Sequence, residues 1–197
     1  MTCGTNGWYC QCNPGNCSTC PIIIDTANQG FHLTDWKNGV LFNCFPDHGA
    51  PEKLSWTDPN YANGWLVLPN ADGMVVNGAQ LFGNITPQPP SENPNGFLAL
   101  AVYDQPANGG NGNGLIDPGD AVYSKLRVWI DANHDGVSQP DELKTLSDLG
   151  IYQIDLKYRT ISHVDPYGNL YHYRGTLWDD DLKDTIYDVF LLNSPKQ

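Results

Sequence analysis

Basic side chains are scarce in this sequence: 10 lysines and arginines stand against 22 aspartates and glutamates, a net charge of −12 over 197 residues. That balance argues against nucleic acid as a partner and for cations. Long apolar runs are missing too. No stretch approaches the ~18 residues that cross a bilayer, so no membrane span is expected. Met1 is followed by Thr-Cys-Gly rather than by a basic segment and then an apolar one, so the sequence shows no signal peptide. Export would need either a leader already removed or another route. Methionine is limited to Met1 and Met74, too few for the Met-rich groove that calmodulin-type sensors open. The five histidines (32, 48, 134, 163 and 172) show no HExxH or paired metal spacing, and no serine sits in a nucleophile elbow. No catalytic residue is assigned and the chain is expected not to be an enzyme. A hydrolase built on carboxylate pairs across strands is the distant alternative.

What the sequence does contain is concentrated acid and amide. Residues 104–148 carry eight acids and three bases, a net −5 equal to that of the much longer segment 1–103, which has seven acids and two bases. Within it, Asp131 to Glu142 reads Asp-Ala-Asn-His-Asp-Gly-Val-Ser-Gln-Pro-Asp-Glu. Every position of the D-x-[DN]-x-[DN]-G-x5-E calcium loop is filled. Ca²⁺ takes six to eight oxygens, so Asp131, Asn133 and Asp135 offer alternate side chains, and Gly136 makes the sharp turn. Val137 presents its carbonyl, Gln139 a water-mediated contact, and Glu142 two closing oxygens. Ser138 and Asp141 form a capping box, and Leu143, Leu146 and Leu149 make one apolar face ending at Gly150, which predicts a following helix. Without an ion, the same residues would read as an Asn/Asp-rich turn.

A second, weaker loop precedes it. Asn111, Asn113, Gly114, Leu115 and Asp120 match its closing half, but the first position falls on Gly109. Asp104, five residues early, is the natural first ligand if the chain bulges through Gln105 to Gly109. Read without metal, Asp117 is simply the N-cap of a helix with Pro118 next. Helices are predicted over Phe97 to Tyr103 and from Pro118 to Ile130, the latter with Val122, Leu126, Trp129 and Ile130 on one face.

Cys3, Cys10, Cys12, Cys17 and Cys20 crowd an N-terminal segment with little to bury, and Cys44 makes an even six. Disulfides are favoured there, with a zinc or iron–sulfur site as the other possibility and connectivity left open among fifteen pairings. Between that segment and the loops the chain reads as short strands: Pro21–Asp25, Val40–Phe42, Lys53–Trp56 and Trp65–Leu68. A proline-rich stretch from Thr86 to Asn95 follows. After Gly150, Tyr152, Ile154, Leu156 and Tyr158 alternate. Asp165 to Asn169 is a turn, Leu170–Arg174 a returning strand, Asp179 to Asp181 a solvated turn, and Ile186–Leu192 a last strand. The organisation expected is a Cys-rich segment 1–20, a β-rich lobe 21–94, an EF-hand-like pair 95–150 and a β segment 151–197. The fold class expected is α+β: short-stranded antiparallel lobes flanking a paired EF-hand-like helix-loop-helix unit.

Several stretches together carry a resemblance: Pro21-Ile-Ile-Ile-Asp25, Gly30 to Asp35, Leu81-Phe-Gly83, Asn95 to Leu100, Ser124 to Trp129, Asp131 to Glu142, and Leu143 through Ile151. From Pro21 to Leu192 the chain resembles the EF-hand-like calcium-binding region of large secreted bacterial proteins, including those of repeats-in-toxin character. The resemblance implies calcium binding in an exported, extracellular protein and no catalytic activity. Its earlier turns depart from the family pattern: Ala27, Gln29 and Gln80 stand at ligand positions, and a neutral amide does not replace a bidentate carboxylate. The first half therefore reads as a scaffold that has lost most of its ions. The function expected is a secreted calcium-stabilised structural or binding module, with self-association or a cell-surface or matrix partner. The alternative is a subunit of an extracellular filament or surface assembly.

Overall fold

Three consecutive isoleucines set the middle of the fold. β-Branched side chains favour extended backbone, and a run with no polar member suits a strand covered on both faces. The computed structural model describes residues 2–3, 10–11, 21–45, 50–179 and 183–193. Its strands are β1 (Thr2–Cys3), β2 (Cys10–Gln11), β3 (Ile22–Asp25), β4 (Val40–Phe42), β5 (Glu52–Leu54) and β6 (Asn63–Val67). They continue with β7 (Leu115–Ile116), β8 (Arg127–Trp129), β9 (Leu143–Thr145), β10 (Gln153–Val164), β11 (Leu170–Trp178) and β12 (Lys183–Phe190). Eight of these form one antiparallel sheet in the order β7-β10-β11-β12-β3-β6-β8-β9, while β1 pairs with β2 and β4 with β5.

The period of two sorts neighbouring side chains to opposite faces of that sheet. Ile22, Ile24, Leu66 and Val128 point into one core with Phe82, Phe97, Leu100 and Ile154. Ile23, Trp65, Val67 and Trp129 point into the other with Phe42, Leu54, Trp56 and Tyr171. The first core is capped by α1 (Gly96–Ala101), the one α-helix among the described residues. Its N-cap is Asn95, whose side chain accepts from the Phe97 and Leu98 N–H groups. The second core holds an aromatic cluster in which the Trp56 ring lies 5.2 Å from that of Trp65 and 5.4 Å from that of Trp129.

This architecture overturns the paired EF-hand unit. The chain is mostly β, and the loop at 131–142 is flanked by β8 and β9, which pair directly with Trp129 opposite Leu143 and Arg127 opposite Thr145. The helix expected over 118–130 is a turn, a short 3₁₀ segment at Tyr123–Lys125 and then β8. The helix expected after Ser138 is β9 and a 3₁₀ turn at Ser147–Leu149. The physical reason lies in where the side chains go. Val122 and Leu126 enter the α1-side core but Trp129 enters the opposite one, which one helical stripe cannot do. Ser138 caps no helix. Its Oγ accepts from the Val75 N–H at 2.8 Å and donates to the Val75 carbonyl, joining the loop to a distant turn.

The disulfide framework is also corrected: among the described residues no disulfide bond is present. Cys44 is buried in the aromatic core. Cys3 and Cys10 are backbone register partners in the β1–β2 ladder. Cys12, Cys17 and Cys20 lie outside the described residues, as do Asp180 and Asp181. No helix of the described chain is long and apolar enough to cross a membrane.

Candidate functional site

The 131–142 loop is a hairpin loop hung on the edge of the sheet and braced from behind by the first half of the chain. His134, in a left-handed conformation (φ 59°), places its Nε2 2.7 Å from the Asn38 carbonyl. Gly136 also has positive φ (72°), and a Cβ there would lie 2.9 Å from the Leu41 carbonyl oxygen. Glycine is required twice over, by the turn and by the close approach of β4.

Within the loop, hydrogen bonds tie the side chains to one another and to the backbone. Asp131 is 1 % exposed and accepts from the N–H groups of Asp135 (3.2 Å) and Gly136 (3.0 Å). Asn133 Oδ1 accepts from the Asp135 N–H at 3.1 Å, and its Nδ2 donates to Asp135 Oδ2 at 3.0 Å. Gln139 Nε2 donates to the same Asp135 oxygen at 2.9 Å, while Gln139 Oε1 is buried with no hydrogen-bond partner among the described residues. Glu142 is 7 % exposed. Its Oε1 accepts from the Ala132 N–H at 3.1 Å and its Oε2 from the Trp129 indole N–H at 3.1 Å.

The second loop repeats this geometry. Pro106–Asn108 forms a 3₁₀ turn that absorbs the five extra residues, so Asp104 arrives at the first position after all. It accepts from Asn113 (3.2 Å) and Gly114 (3.0 Å), each five residues further along than the Asp135 and Gly136 donors to Asp131. A further N–H reaches it from Gly112 at 2.9 Å. Gly114 has φ 82°, matching Gly136. Asp120, 3 % exposed, accepts from the Asn111 and Asp117 N–H groups. Asp117, expected as an N-cap, takes the Asn113 amide on its carboxylate at 2.9 Å, standing where Gln139 stands in the other loop. The signal for it was available, since it lies six residues after Asn111 just as Gln139 lies six after Asn133.

Two buried tryptophans whose sequence pattern points only to the core also stand beside the acids. The Trp129 indole holds Glu142, and Trp56 Nε1 makes no hydrogen bond of ordinary geometry among the described residues although its ring faces Asp131. Burial raises the Asp131 carboxyl above its ordinary value, against the N–H groups of Gly136 and Asp135 and the Trp56 indole, which pull it down. The Asp135 charge adds to the rise. A buried carboxylate in that state gains from a cation, because nearby positive charge removes the desolvation penalty.

The ready-made metal centre and the EF-hand are nonetheless corrected. Among the described residues no group of three or more His, Cys, Asp or Glu side chains is gathered as a metal cage. Glu142 is turned to Trp129 and the carboxylates are closed by backbone N–H groups. The donor set itself fits a hard cation: oxygens only, two buried carboxylates per loop, and at Gln139 a buried oxygen left without a donor.

Comparison with known proteins adds two findings. Residues 22–192 match the SPM domain. The iron-regulated protein FrpA of Neisseria meningitidis serogroup C is 34 % identical over 165 residues, which cover 82 % of this chain and 14 % of that protein. The chain thus spans a small part of the relative's length.

Proposed function

This chain belongs to the SPM domain family, and from that premise we propose that it is a calcium-stabilised structural and binding module, not a catalytic one, within an exported protein. The observation that carries the reading is the repetition of one loop geometry at two places. In each loop a buried aspartate takes N–H groups from the fifth and sixth positions, an amide follows at the third, and a buried acid closes at the twelfth. Chance turns do not repeat a twelve-position donor pattern across a five-residue insertion.

Asp131, Asn133, Asp135, the Val137 carbonyl, Gln139 and Glu142 would hold one calcium. Asp104, Asn111, Asn113, the Leu115 carbonyl, Asp117 and Asp120 would hold a second. The ion would supply positive charge to carboxylates that are otherwise buried without it. The chain's own residues do the positioning. Trp129 orients Glu142, Gly136 and Gly114 permit the turns, and Val75 anchors Ser138. Modules outside the cell bind calcium in the ~10⁻⁴–10⁻³ M range, near ambient levels, so the sites would be permanently filled and serve stability. A cation bound only by the folded state adds about 2.7 kcal/mol at 100 times Kd.

Calorimetric titration of chelator-treated protein tests this. Two calcium ions per chain are expected, with one lost in Asp131→Ala and in Glu142→Gln and the other lost in Asp120→Asn. Unchanged stoichiometry in all three variants overturns the proposal. Ferrous iron serves as a comparison divalent cation in a parallel titration. Iron binding in place of calcium would reassign the loops.

A further inference from the structure

At the other end of the sheet lies a feature that the loops do not use. Four of the ten lysines and arginines, Lys157, Arg159, Arg174 and Lys183, line one polar cleft of about 340 Å³ over β10, β11 and β12. The chain has more than twice as many acids as bases, and one acid stands near this lining: Asp155 lies opposite Thr176 and accepts the Lys157 N–H at 2.9 Å. Arg174 donates to the Thr185 hydroxyl at 2.8 Å, and Lys183 lies 5.3 Å from the centre of the Trp178 ring.

The register sharpens the point. Arg159 and Arg174 are direct partners across the β10–β11 ladder. Like charges directly opposite one another destabilise a sheet unless something of opposite sign lies between them. The ladder also slips between Asp155 and Arg159, where Lys157 and Tyr158 sit, and irregularities of this kind re-aim side chains beside sites. The floor is fixed by packing: Gly175 is buried, and a Cβ there would meet the Phe97 ring at 2.3 Å. Thr176 adds a hydroxyl to the lining. A solvated face of scattered lysines needs none of this. It would not set two arginines directly opposite each other across one ladder.

We propose that this cleft binds a tetrahedral oxyanion, phosphate or sulfate, with Arg159 and Arg174 as the two guanidinium forks and Lys157, Lys183 and Thr176 as flanking donors. Guanidinium groups match the oxygens of such anions bidentately, and two forks on neighbouring strands suit a single group better than two separate carboxylates. Anion binding would offset the cross-strand repulsion and so stabilise the β10–β11–β12 unit. It is independent of the calcium reading.

Titration of the full chain with sodium sulfate and sodium phosphate, at ionic strength held constant with chloride, followed by amide chemical shifts, provides the test. Saturable shifts are expected at residues 157–159, 174–176 and 183. Arg159→Gln, at an exposed position, should weaken binding by roughly tenfold while leaving the circular dichroism unchanged. Lys125→Gln, far from the cleft, should bind as the parent does. Shifts reproduced by chloride alone, or an unchanged titration in Arg159→Gln, overturn the proposal. Dextran sulfate separates the sources: tighter binding per sulfate than the free ion indicates an anion carried on a polymer, and equal binding a free one.

Discussion

Trp129 shows how one side chain can serve two tasks. Its ring is fully buried in the aromatic cluster, 5.7 Å from Phe42 and 5.4 Å from Trp56, and its indole N–H reaches Glu142 at the end of the loop. Removing the donor but keeping an aromatic ring isolates the second task. Trp129→Phe leaves Glu142 Oε2 with only the weaker Gln139 N–H at 3.3 Å. The expected loss is about 1–3 kcal/mol of stability in calcium-free urea denaturation. A midpoint unchanged from the parent would show that Glu142 is held by the backbone alone. Asp131 illustrates the complementary case, in which burial raises the carboxyl and the surrounding N–H groups only partly restore it.

At the scale of elements, the β8–β9 hairpin replaces the helix-loop-helix. Ile130 N–H bonds to the Glu142 carbonyl at 3.1 Å, so the loop closes on itself where the strands begin. Calcium binding should therefore protect the amides of Trp129, Ile130 and Leu143 from hydrogen exchange, by about a hundredfold when free calcium is near 100 times Kd. The amides of β10 and β11 should change far less. Exchange at the hairpin that is identical with calcium and with chelator would show that the loop holds itself without an ion. The same hairpin explains a misreading. Val122, Leu126, Trp129 and Ile130 have helical spacing, but Arg127-Val128-Trp129 has one β-branched and one aromatic residue and finds β6 as a ready partner, with Trp65 opposite Trp129. Local pattern allowed both outcomes, and the neighbouring strand selected one.

Across the whole molecule, the C-terminal strands are tied back to the first half. Asn169 is fully buried, takes the Ser55 hydroxyl at 2.5 Å, and donates to the Thr34 carbonyl and to Asp165. Tyr171 packs beside Phe31 and Tyr187 in the same region. Its phenol is pushed well above the ordinary 10.0, first by burial and then by Asp165 and Tyr187. The folded state thus favours the protonated form. The stabilising contribution is fully present below pH 10 and is lost as pH rises through the higher folded value. Denaturation midpoints should fall as pH is raised above 10, and the fall should be smaller in Tyr171→Phe. Equal falls in parent and variant would place the alkaline loss elsewhere.

The short strands at Ile22–Asp25 and Val40–Phe42, the strand expected over Trp65–Leu68 and found over Asn63–Val67, and the alternation after Gly150 were legible in the sequence. Each depends on residue type and spacing within one short stretch. β-Branched runs favour extended backbone, and Asp, Asn and Gly at alternate positions make turns whose oxygens point inward. Three features needed the tertiary structure: the hairpin in place of helices around residues 131–142, the role of Trp56 and Trp129 beside the acids, and the opposed arginines of the cleft. Each is set by residues distant in the chain, such as β6 beside β8, the β4 backbone beside Gly136, and β10 against β11. Spacing along a single stretch carries no information about which strand will lie next to it, and that pairing decided the difference.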